Sequence, residues 1–582
     1  MGALRAFQGL QGTIGQPTAQ VINGSLKFER TASNYLSRTF SAGNRKTFTV
    51  SFWHKHSNHS EGASVGAGGG VIFSTGTTGG GARGTMGFAG TTNGSNEDKF
   101  SIGFNATGST WKSLNSDPFF RDFAAWQHFV IAVDVTQSNA SDRVRFYVNG
   151  VQQALSGSYP NNEDQQFNNN VGHAIGRYNP EGKDYYSGLL SNFYFIDGSA
   201  LAPGYFGFTD PLTGTWRPKK LRQGDPTVND GTTWSSYLSD SSGASNLFDG
   251  DLSTFYGPGS STETWTPAKP IEVISQVRIY YSSGSTSRNF EVNDNGNVVA
   301  TGTGTKWVDL NFTGPLTKIS GSAGWNVYAI EVDGVVMQDS TTTNLSFGTN
   351  GFYLPMDNQD DFEKDKSGNG NDFTKNNFSG TSINPDVVKD SPSGAVFGGR
   401  AQTGITTTSS APANYCTLNP IDKNSDITLS NGNLDAVSSS TWKNVRATMS
   451  VTSGKYYFEL FNPSGDFYTG IADHTLANDT GSPSSESIVS INQNGFLSQN
   501  SATYNSYGSS DVVGVTLDAD IKKVTFYKNG SVNDANSNHT YTTSNPVFPF
   551  VALNSSNADM NFGQKPFKYA PPQGFLPLNT AS

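Results

Sequence analysis

The sequence predicts an all-β protein, and three observations support this fold class. Only 15% of the 582 residues are charged, whereas about 25% is usual for a soluble domain. Glycine supplies 65 residues and aromatic residues 12% of the chain, so turn and strand formers outweigh good helix formers. Short apolar runs also recur between polar loops. The length suits about four domains, and helix bundles, Rossmann folds and barrels with outer helices are disfavoured.

Charge and cysteine content exclude several function classes. The net charge of -10 and the pI near 5.2 disfavour nucleic acid and anionic membrane surfaces as partners. The longest apolar run, Phe129 to Val133, is too short to cross a bilayer, and the N-terminal segment lacks the apolar core of a secretory signal. Cys416 is the single cysteine, so no disulfide is expected within the chain. We therefore expect neither nucleic-acid binding nor membrane insertion.

Residues 21–221 are predicted to form short strands divided by polar loops. The run Arg143 to Val148 ends in Asn149-Gly150, a dipeptide that favours a type I′ hairpin turn. Four motifs resemble a laminin-G-like, concanavalin-type jelly roll: SFWHKHS (51–57), WQHFVIAVD (126–134), VRFYVNGVQ (144–152) and GLLSNFYFIDGSAL (188–201). The resemblance implies two antiparallel sheets that bind sugars or protein surfaces.

Residues 222–340 have a different character. Three motifs resemble a discoidin-like, galactose-binding β-sandwich: NLFDGDLSTFY (246–256), ETWTPAKPIEVISQVRIYYSSG (263–284) and WNVYAIEVDGVVM (325–337). Their order, an acidic-glycine loop, a tryptophan strand and a terminal strand, fits that family. The resemblance implies a second sandwich with a ligand surface.

Residues 341–412 are polar and are expected to form a connector. GTNGFYLPMD (348–357), KDKSGNGNDFTKNNFS (364–379) and DSPSG (390–394) resemble a connector of virion proteins from marine cyanobacterial phages. There the TGTWRPKK element (213–220) leads almost directly into the GTNGFYL element. On that comparison the discoidin-like unit is an insertion between the two.

Residues 413–582 resemble a SPRY domain, a bent β-sandwich used for recognition. The resemblance rests on these motifs: NYCTLNPIDKNSDITLSNGNL (414–434), SGKYYFEL (453–460), DVVGVTLDADIKKVTFYKNGS (511–531), PVFPFVAL (546–553) and NFGQKPF (561–567). Val515, Leu517, Val524 and Phe526 alternate with polar residues, as in half-buried strands. Asn529-Gly530 supplies a turn after the second of these strands.

Aromatic side chains are the expected source of binding energy, because sugar rings stack on the faces of Trp and Tyr. The candidate glycan-binding residues are Trp111, Trp265, Trp325, Tyr280 and Tyr281. Trp53, Trp126 and Trp307 lie within strand patterns and are expected in the core. Burial is the alternative for each candidate as well, since tryptophan is mostly buried in folded proteins.

Two patterns are candidates for metal binding. His54 and His56 lie two residues apart on a strand and face the same side, so in a trimeric fibre three such pairs could share an ion on the axis. Asp249 and Asp251 flank a glycine in the loop where discoidin-like domains bind a structural ion, here a candidate Ca²⁺. The alternatives are a strand end that enters a polar loop and an ordinary Asx turn. No cofactor is required.

The chain is expected to bind rather than to catalyse. It contains no P-loop, HExxH or CxxC motif, and the acidic residues of the connector lie in polar surroundings. Tandem recognition sandwiches with a phage-like connector favour a bacteriophage virion protein, a tail fibre that binds a host-surface glycan or outer-membrane receptor. We expect a homotrimer that contacts other virion proteins through residues 1–20. The alternative is a capsid-decorating head fibre or vertex protein with a mainly structural role.

Overall fold

The fold was analysed in a computed structural model of the chain. It describes residues 19–57, 70–77, 82–89, 98–105, 110–210, 213–222, 226–240, 242–257, 263–268, 270–273, 276–283, 287–294, 297–301, 304–312, 314–321, 326–393, 412–478, 483, 489–498, 504–533 and 539–580. These residues form two compact units, residues 201–345 with the N-terminal segment up to 21, and residues 22–200 with 346–582. The predicted docking segment 1–20 lies almost entirely outside the described residues.

In the unit formed by residues 22–200 and 346–582, the first part is a jelly roll. Its strands are β1 (Ser25–Phe28), β2 (Tyr35–Thr39), β3 (Thr47–His56), β4 (Val71–Gly76), β5 (Arg83–Phe88), β6 (Lys99–Asn105), β7 (Lys112–Phe119), β8 (Gln127–Asp134), β9 (Val144–Val148), β10 (Val151–Gln153), β11 (Leu155–Gly157), β12 (Gly172–Ile175) and β13 (Gly188–Asp197). A short helix, α1 (Ala140–Arg143), precedes β9. Val148 pairs with Val151 across Asn149 and Gly150, whose φ values of 48° and 82° confirm the predicted type I′ turn.

The other unit holds a second set of strands. They are β14 (Gly207–Thr209), β15 (Trp216–Pro218), β16 (Pro226–Asp230), β17 (Glu263–Trp265), β18 (Ile271–Val273), β19 (Val277–Ser283), β20 (Ser287–Val292), β21 (Asn297–Thr301), β22 (Gly304–Asp309), β23 (Gly314–Leu316), β24 (Ile319–Gly321), β25 (Asn326–Val332), β26 (Val335–Val336) and β27 (Thr342–Asn344). Short 3-10 helices lie at Pro203–Tyr205, Trp234–Tyr237 and Ala244–Leu247. Two four-stranded antiparallel sheets, β17-β24-β20-β21 and β22-β19-β25-β26, contribute to one apolar cluster.

The remaining strands belong to the unit formed by residues 22–200 and 346–582. They are β28 (Phe352–Leu354), β29 (Thr374–Asn376), β30 (Val387–Val388), β31 (Leu418–Lys423), β32 (Ile427–Ser430), β33 (Asp435–Ser438), β34 (Lys443–Ala447), β35 (Lys455–Ala472), β36 (Val489–Asn492), β37 (Val513–Asp518), β38 (Lys523–Lys528), β39 (Ser531–Val532), β40 (His539–Thr540), β41 (Phe548–Asn561) and β42 (Leu576–Pro577). The long strands β35 and β41 pair with each other, and breaks in their register near Ser464 bend the sheet. In the described part of the chain no helix is long and apolar enough to cross a membrane.

The segment expected as a polar connector belongs to the jelly roll. β28 pairs with β13, β30 pairs with β1, and β29 pairs with β2 at the edge of the opposite sheet. Its sparse apolar side chains, among them Phe352, Leu354 and Phe373, join the core between the sheets. The sheet orders are β10-β9-β8-β3-β13-β1-β30 and β11-β7-β6-β5-β4-β12-β2-β29. Short strands set among glycine and asparagine leave no regular periodicity, which is why the pattern did not predict them.

The C-terminal part is a bent sandwich around its own core. Val515, Leu517, Val524 and Phe526 all lie in that core, as the alternation predicted. All six residues of β37 are buried, so the strand is covered on both faces rather than half-buried. Asn529-Gly530 forms the predicted two-residue turn between β38 and β39.

Candidate functional site

The outer face of the second jelly-roll sheet carries a row of small residues. Cross-strand register places these six in line: Ser113, Gly103, Thr85, Ser74, Ala174 and Ser37. The residues next to them along the strands, such as Met86 and Ile102, point the other way into the core. Because the row contains no large side chain, other parts of the chain have room to lie over the sheet.

Trp111 lies over this row at Gly103. A Cβ atom added to Gly103 would come within 2.2 Å of the indole ring and 2.6 Å of Oγ1 of Thr85. The Trp111 side chain is still 41% exposed, which is unusual for so large a ring. The guanidinium carbon of Arg83 lies 5.1 Å from the ring centroid. Trp111 is therefore an exposed aromatic platform with a cation beside it.

Further rings and cations continue from Arg83 across the sheet. Arg83 lies 5.9 Å from the ring centroid of Tyr178, and Arg177 lies 3.6 Å from that of Tyr35. The rings of Tyr35 and Tyr185 are 6.2 Å apart. We call the set Tyr35, Arg83, Trp111, Arg177, Tyr178 and Tyr185 the aromatic–cation surface. Tyr178 is only 6% exposed, so it supports Arg83 and is not itself open to a ligand. Burial raises the pKa of Tyr178 above its ordinary value, against the effect of the Arg83 charge.

This surface has the chemistry of a sugar-binding face. Indole and phenol rings stack on the apolar face of a sugar, while guanidinium groups donate hydrogen bonds to hydroxyl or carboxylate oxygens. Trp111 was predicted from the sequence, but its partners were missed. The segment GRYNPEGKDYY (176–186) concentrates Arg, Lys and Tyr in turn residues after a strand, and that signal could have identified them.

Tyr280 lies on a second, smaller aromatic surface in the other unit. Its ring centroid is 5.0 Å from that of Trp307 and 5.5 Å from that of Tyr328. Phe255, which is 44% exposed, lies 5.6 Å from Tyr328. Trp307 was expected in the core but is only half-buried on β22. The three strands β19, β22 and β25 thus place three rings on one side of a sheet, and Phe255 adds a fourth from a loop.

Two of the predicted glycan-binding residues are core residues instead. Trp265 is 2% exposed, and its Nε1 donates to the carbonyl oxygen of Trp234 at 3.1 Å. Tyr281 is fully buried against Phe290, because adjacent residues of β19 face opposite sides and Tyr280 takes the outer one. Neither ring is available to a sugar. Trp325 lies outside the described residues.

His54 and His56 lie inside the jelly roll, at 1% and 3% exposure. The ring centroid of His54 is 4.3 Å from that of Phe129, and that of His56 is 4.5 Å from that of Phe88. Burial lowers the pKa of His54 to about 3. The two imidazoles do share a strand face, but that face is the core face. They are therefore not placed where three chains could share a metal ion on an axis.

The carboxylates of Asp249 and Asp251 are occupied by donors of their own loop. Asp249 accepts from the backbone N–H of Asp251 at 2.8 Å and from Oγ1 of Thr254 at 2.5 Å. Asp251 accepts from the N–H and the hydroxyl of Ser253, and these hydrogen bonds lower its pKa. Within the described ranges no group of three or more His, Cys, Asp or Glu side chains is arranged to hold a metal ion. The loop is a pair of Asx turns, and its Ca²⁺ site stays a prediction.

Comparison with known proteins assigns two of the domains. Residues 30–203 match the family model of the concanavalin A-like lectin/glucanases superfamily, and residues 455–565 match that of the SPRY domain. The crystal structure of the SPRY domain of human HERC1 is similar over 96% of its own length and 25% of this chain, with 17% identity and a TM-score of 0.22.

Two curated relatives are similar over a limited region. The chain is 26% identical over 167 residues to the probable ATP-dependent RNA helicase ddx1 of Dictyostelium discoideum, which is 28% of this chain and 21% of the relative. It is 28% identical over 182 residues to the ATP-dependent RNA helicase DDX1 of Xenopus laevis, covering 30% of this chain and 24% of the relative. The chain thus spans about a quarter or less of these relatives. On the family matches, it contains a concanavalin A-like domain and a SPRY domain.

Proposed function

We propose that the protein is a non-catalytic glycan-binding protein of a bacteriophage virion, a tail fibre that attaches to the host surface. The observation that carries the binding role is Trp111, whose exposed indole lies over Gly103 with Arg83 beside it. The virion role is supported by the phage-like connector motifs and by the discoidin-like resemblance of residues 222–340. Single sugar contacts are weak, so repeated copies on one particle would gain affinity through effective concentration.

Replacing Trp111 tests the binding role. We expect Trp111→Ala to weaken binding of the purified full chain to host-surface polysaccharide about fivefold, because an aromatic stacking contact contributes roughly 1 kcal/mol. Biolayer interferometry with immobilised polysaccharide measures the change. Phe119→Ala is the matched control, since Phe119 is 49% exposed on the same sheet and also lies near cations, but outside the aromatic–cation surface. Equal binding by the wild type and Trp111→Ala would contradict the proposal.

A second variant leaves every side chain of the surface intact. Gly103→Ala adds a methyl group where the Trp111 ring lies, so the ring has to move off the sheet. We expect reduced polysaccharide binding with an unchanged circular dichroism spectrum. Retained affinity in this variant would show that the seating of Trp111 on Gly103 is unimportant.

Immunogold labelling of intact particles tests the virion role, and label on the head instead of the tail would favour the capsid-decorating alternative.

A further inference from the structure

A buried lysine of the jelly roll meets a buried asparagine of the C-terminal sandwich. Lys27 on β1 and Asn431 in the turn between β32 and β33 are 404 residues apart in sequence, and their exposures are 6% and 8%. Nζ of Lys27 contacts Oδ1 of Asn431 and donates to Oδ1 of Asn384 at 3.0 Å. An amine that faces a side-chain amide in a site shielded from water is the arrangement required for acyl transfer between the two groups.

The amide of Asn431 is held in one orientation. Its backbone N–H donates to Oε2 of Glu29, and its Nδ2 donates to Oδ1 of Asp435 at 3.0 Å and to Oδ1 of Asn384 at 3.2 Å. The carbonyl oxygen therefore faces the lysine, and the nitrogen that would leave faces a carboxyl group. The backbone of Asn431 adopts φ 56°, which the short asparagine side chain tolerates.

The charges around the pair favour the protonation states that acyl transfer needs. Burial and the nearby Lys565 lower the pKa of Lys27 to about 8, against Asp435, Asp386 and Glu29. Burial raises the pKa of Asp435 to about 6, with Asp559 adding to the effect and Lys565 opposing it. A neutral amine and a protonated carboxyl group are thus both accessible near neutral pH.

We propose that Lys27 and Asn431 form an intramolecular isopeptide bond, with Asp435 as the proton-transfer group. The lone pair of Nζ attacks Cγ of Asn431, and the C–Nδ2 bond breaks. The Asp435 carboxyl group gives its proton to the leaving nitrogen, which departs as ammonia, and the carboxylate takes a proton from Nζ. The products are one amide bond and one ammonia molecule, so no oxidant or other reactant is needed.

A small cleft lies next to Asn431 in the fold. It is lined by residues of both domains, Glu29, Arg30, Ser57, Ser187, Ser430 and Asn433 among them. Ser430 precedes Asn431 in the chain, and Oε2 of Glu29 accepts a hydrogen bond from the backbone N–H of Asn431. We expect ammonia to leave toward this cleft.

A second lysine–asparagine contact in the same unit, between the buried Lys55 and the half-buried Asn414, lacks the proton donor. Nζ of Lys55 donates to Oδ1 of Asn414 at 2.7 Å, but it also pairs directly with Oδ2 of Asp390 at 2.8 Å. Nδ2 of Asn414 donates to the carbonyl oxygen of Ala124, so no acid faces the nitrogen that would have to leave. The charged lysine is satisfied there, and we expect this pair to remain unlinked.

Intact-mass spectrometry of the purified full chain tests the bond. We expect a mass lower than that of the sequence by one ammonia molecule, and a branched proteolytic peptide that joins the Lys27 and Asn431 segments. Lys27→Arg and Asn431→Ala restore the full mass, and Asp435→Asn slows the linkage. The Lys55–Asn414 pair and the exposed Lys46–Asn162 pair serve as internal controls that remain unlinked in the same peptide map.

Two outcomes would overturn the inference. One is a wild-type mass equal to that of the unmodified sequence. The other is an ammonia loss that persists in Lys27→Arg, since Asn431 precedes Gly432 and can lose ammonia to its own backbone as a succinimide. The peptide map of the wild type decides between these outcomes even if a variant fails to fold, because only the isopeptide bond gives a branched peptide.

Discussion

Acidification from about pH 7.5 to about pH 5 is expected to destabilise the concanavalin A-like domain by roughly 6 kcal/mol. Three imidazoles lie in or beside its core, those of His54, His128 and His173, each at most 1% exposed. Burial lowers the pKa of each to about 3, and for His128 the neighbouring His54 adds to the effect. Each must stay neutral in the folded state while it takes up a proton in the unfolded chain.

The sign follows from the two pKa values of each imidazole. The unfolded value is about 6.5 and the folded value lies below it, so stability is lost as the pH falls below 6.5 and the loss is complete near the folded pKa. Between about pH 7.5 and about pH 5 each imidazole costs about 2 kcal/mol of stability. The unfolding temperature is expected to fall by about 10 °C or more over the same change. Differential scanning calorimetry of the full chain at both pH values measures the shift.

A ring-for-ring replacement isolates the titration. His54→Phe keeps an aromatic ring among Phe52, Phe88 and Phe129 but removes one proton uptake, so about a third of the pH dependence disappears. Phe52→Leu is the control, because it lowers stability by the same amount at both pH values. The SPRY domain gives an internal contrast. Burial raises the pKa of Glu459 there to about 6, so this carboxyl group makes the folded domain more stable as the pH falls. A pH dependence unchanged by His54→Phe would refute the assignment.

Replacement of Asp390 by alanine is expected to lower the free energy of unfolding by about 3–5 kcal/mol. Asp390 is 1% exposed and pairs with Nζ of Lys55 at 2.8 Å. It also accepts from Nε1 of Trp126 at 2.8 Å and from the N–H of Tyr415 at 3.3 Å. The variant leaves the Lys55 charge buried without its counter-ion, which is the main reason for the large effect. Calorimetry of the full chain measures the loss.

A double variant separates the loss of the Lys55–Asp390 ion pair from the cost of leaving the Lys55 charge without a partner. Lys55→Met combined with Asp390→Ala removes both charges, so we expect part of the stability to return. Asp294→Ala is the exposed control. Asp294 pairs with Lys318 at an N–O distance of 2.5 Å, and the two side chains are 65% and 31% exposed. That change is expected to alter stability by less than about 1 kcal/mol. A double variant less stable than Asp390→Ala would contradict this explanation.

The strand and turn patterns of the sequence predicted the fold class and much of the local structure correctly. Asn149-Gly150 and Asn529-Gly530 form the expected hairpin turns, because positive φ at both positions is a local requirement that these residues meet. The candidate site was predicted only in part. Trp111 is exposed as expected, whereas Arg83 reaches it from another strand and also lies near Tyr178, which is distant from both in sequence.

By itself the sequence determined that this chain is an all-β protein, because strand periodicity and turn chemistry are local properties. The concanavalin-like and SPRY domains were expected from the resemblance of its motifs to those families. Only the tertiary structure decided which rings are exposed: Tyr280 and Tyr281 are neighbours, yet one faces outward and the other is core. It also joined the polar segment around Phe352 to the jelly roll and brought Lys27 to Asn431. Burial and contact depend on partners far apart in the chain, and no local pattern encodes them.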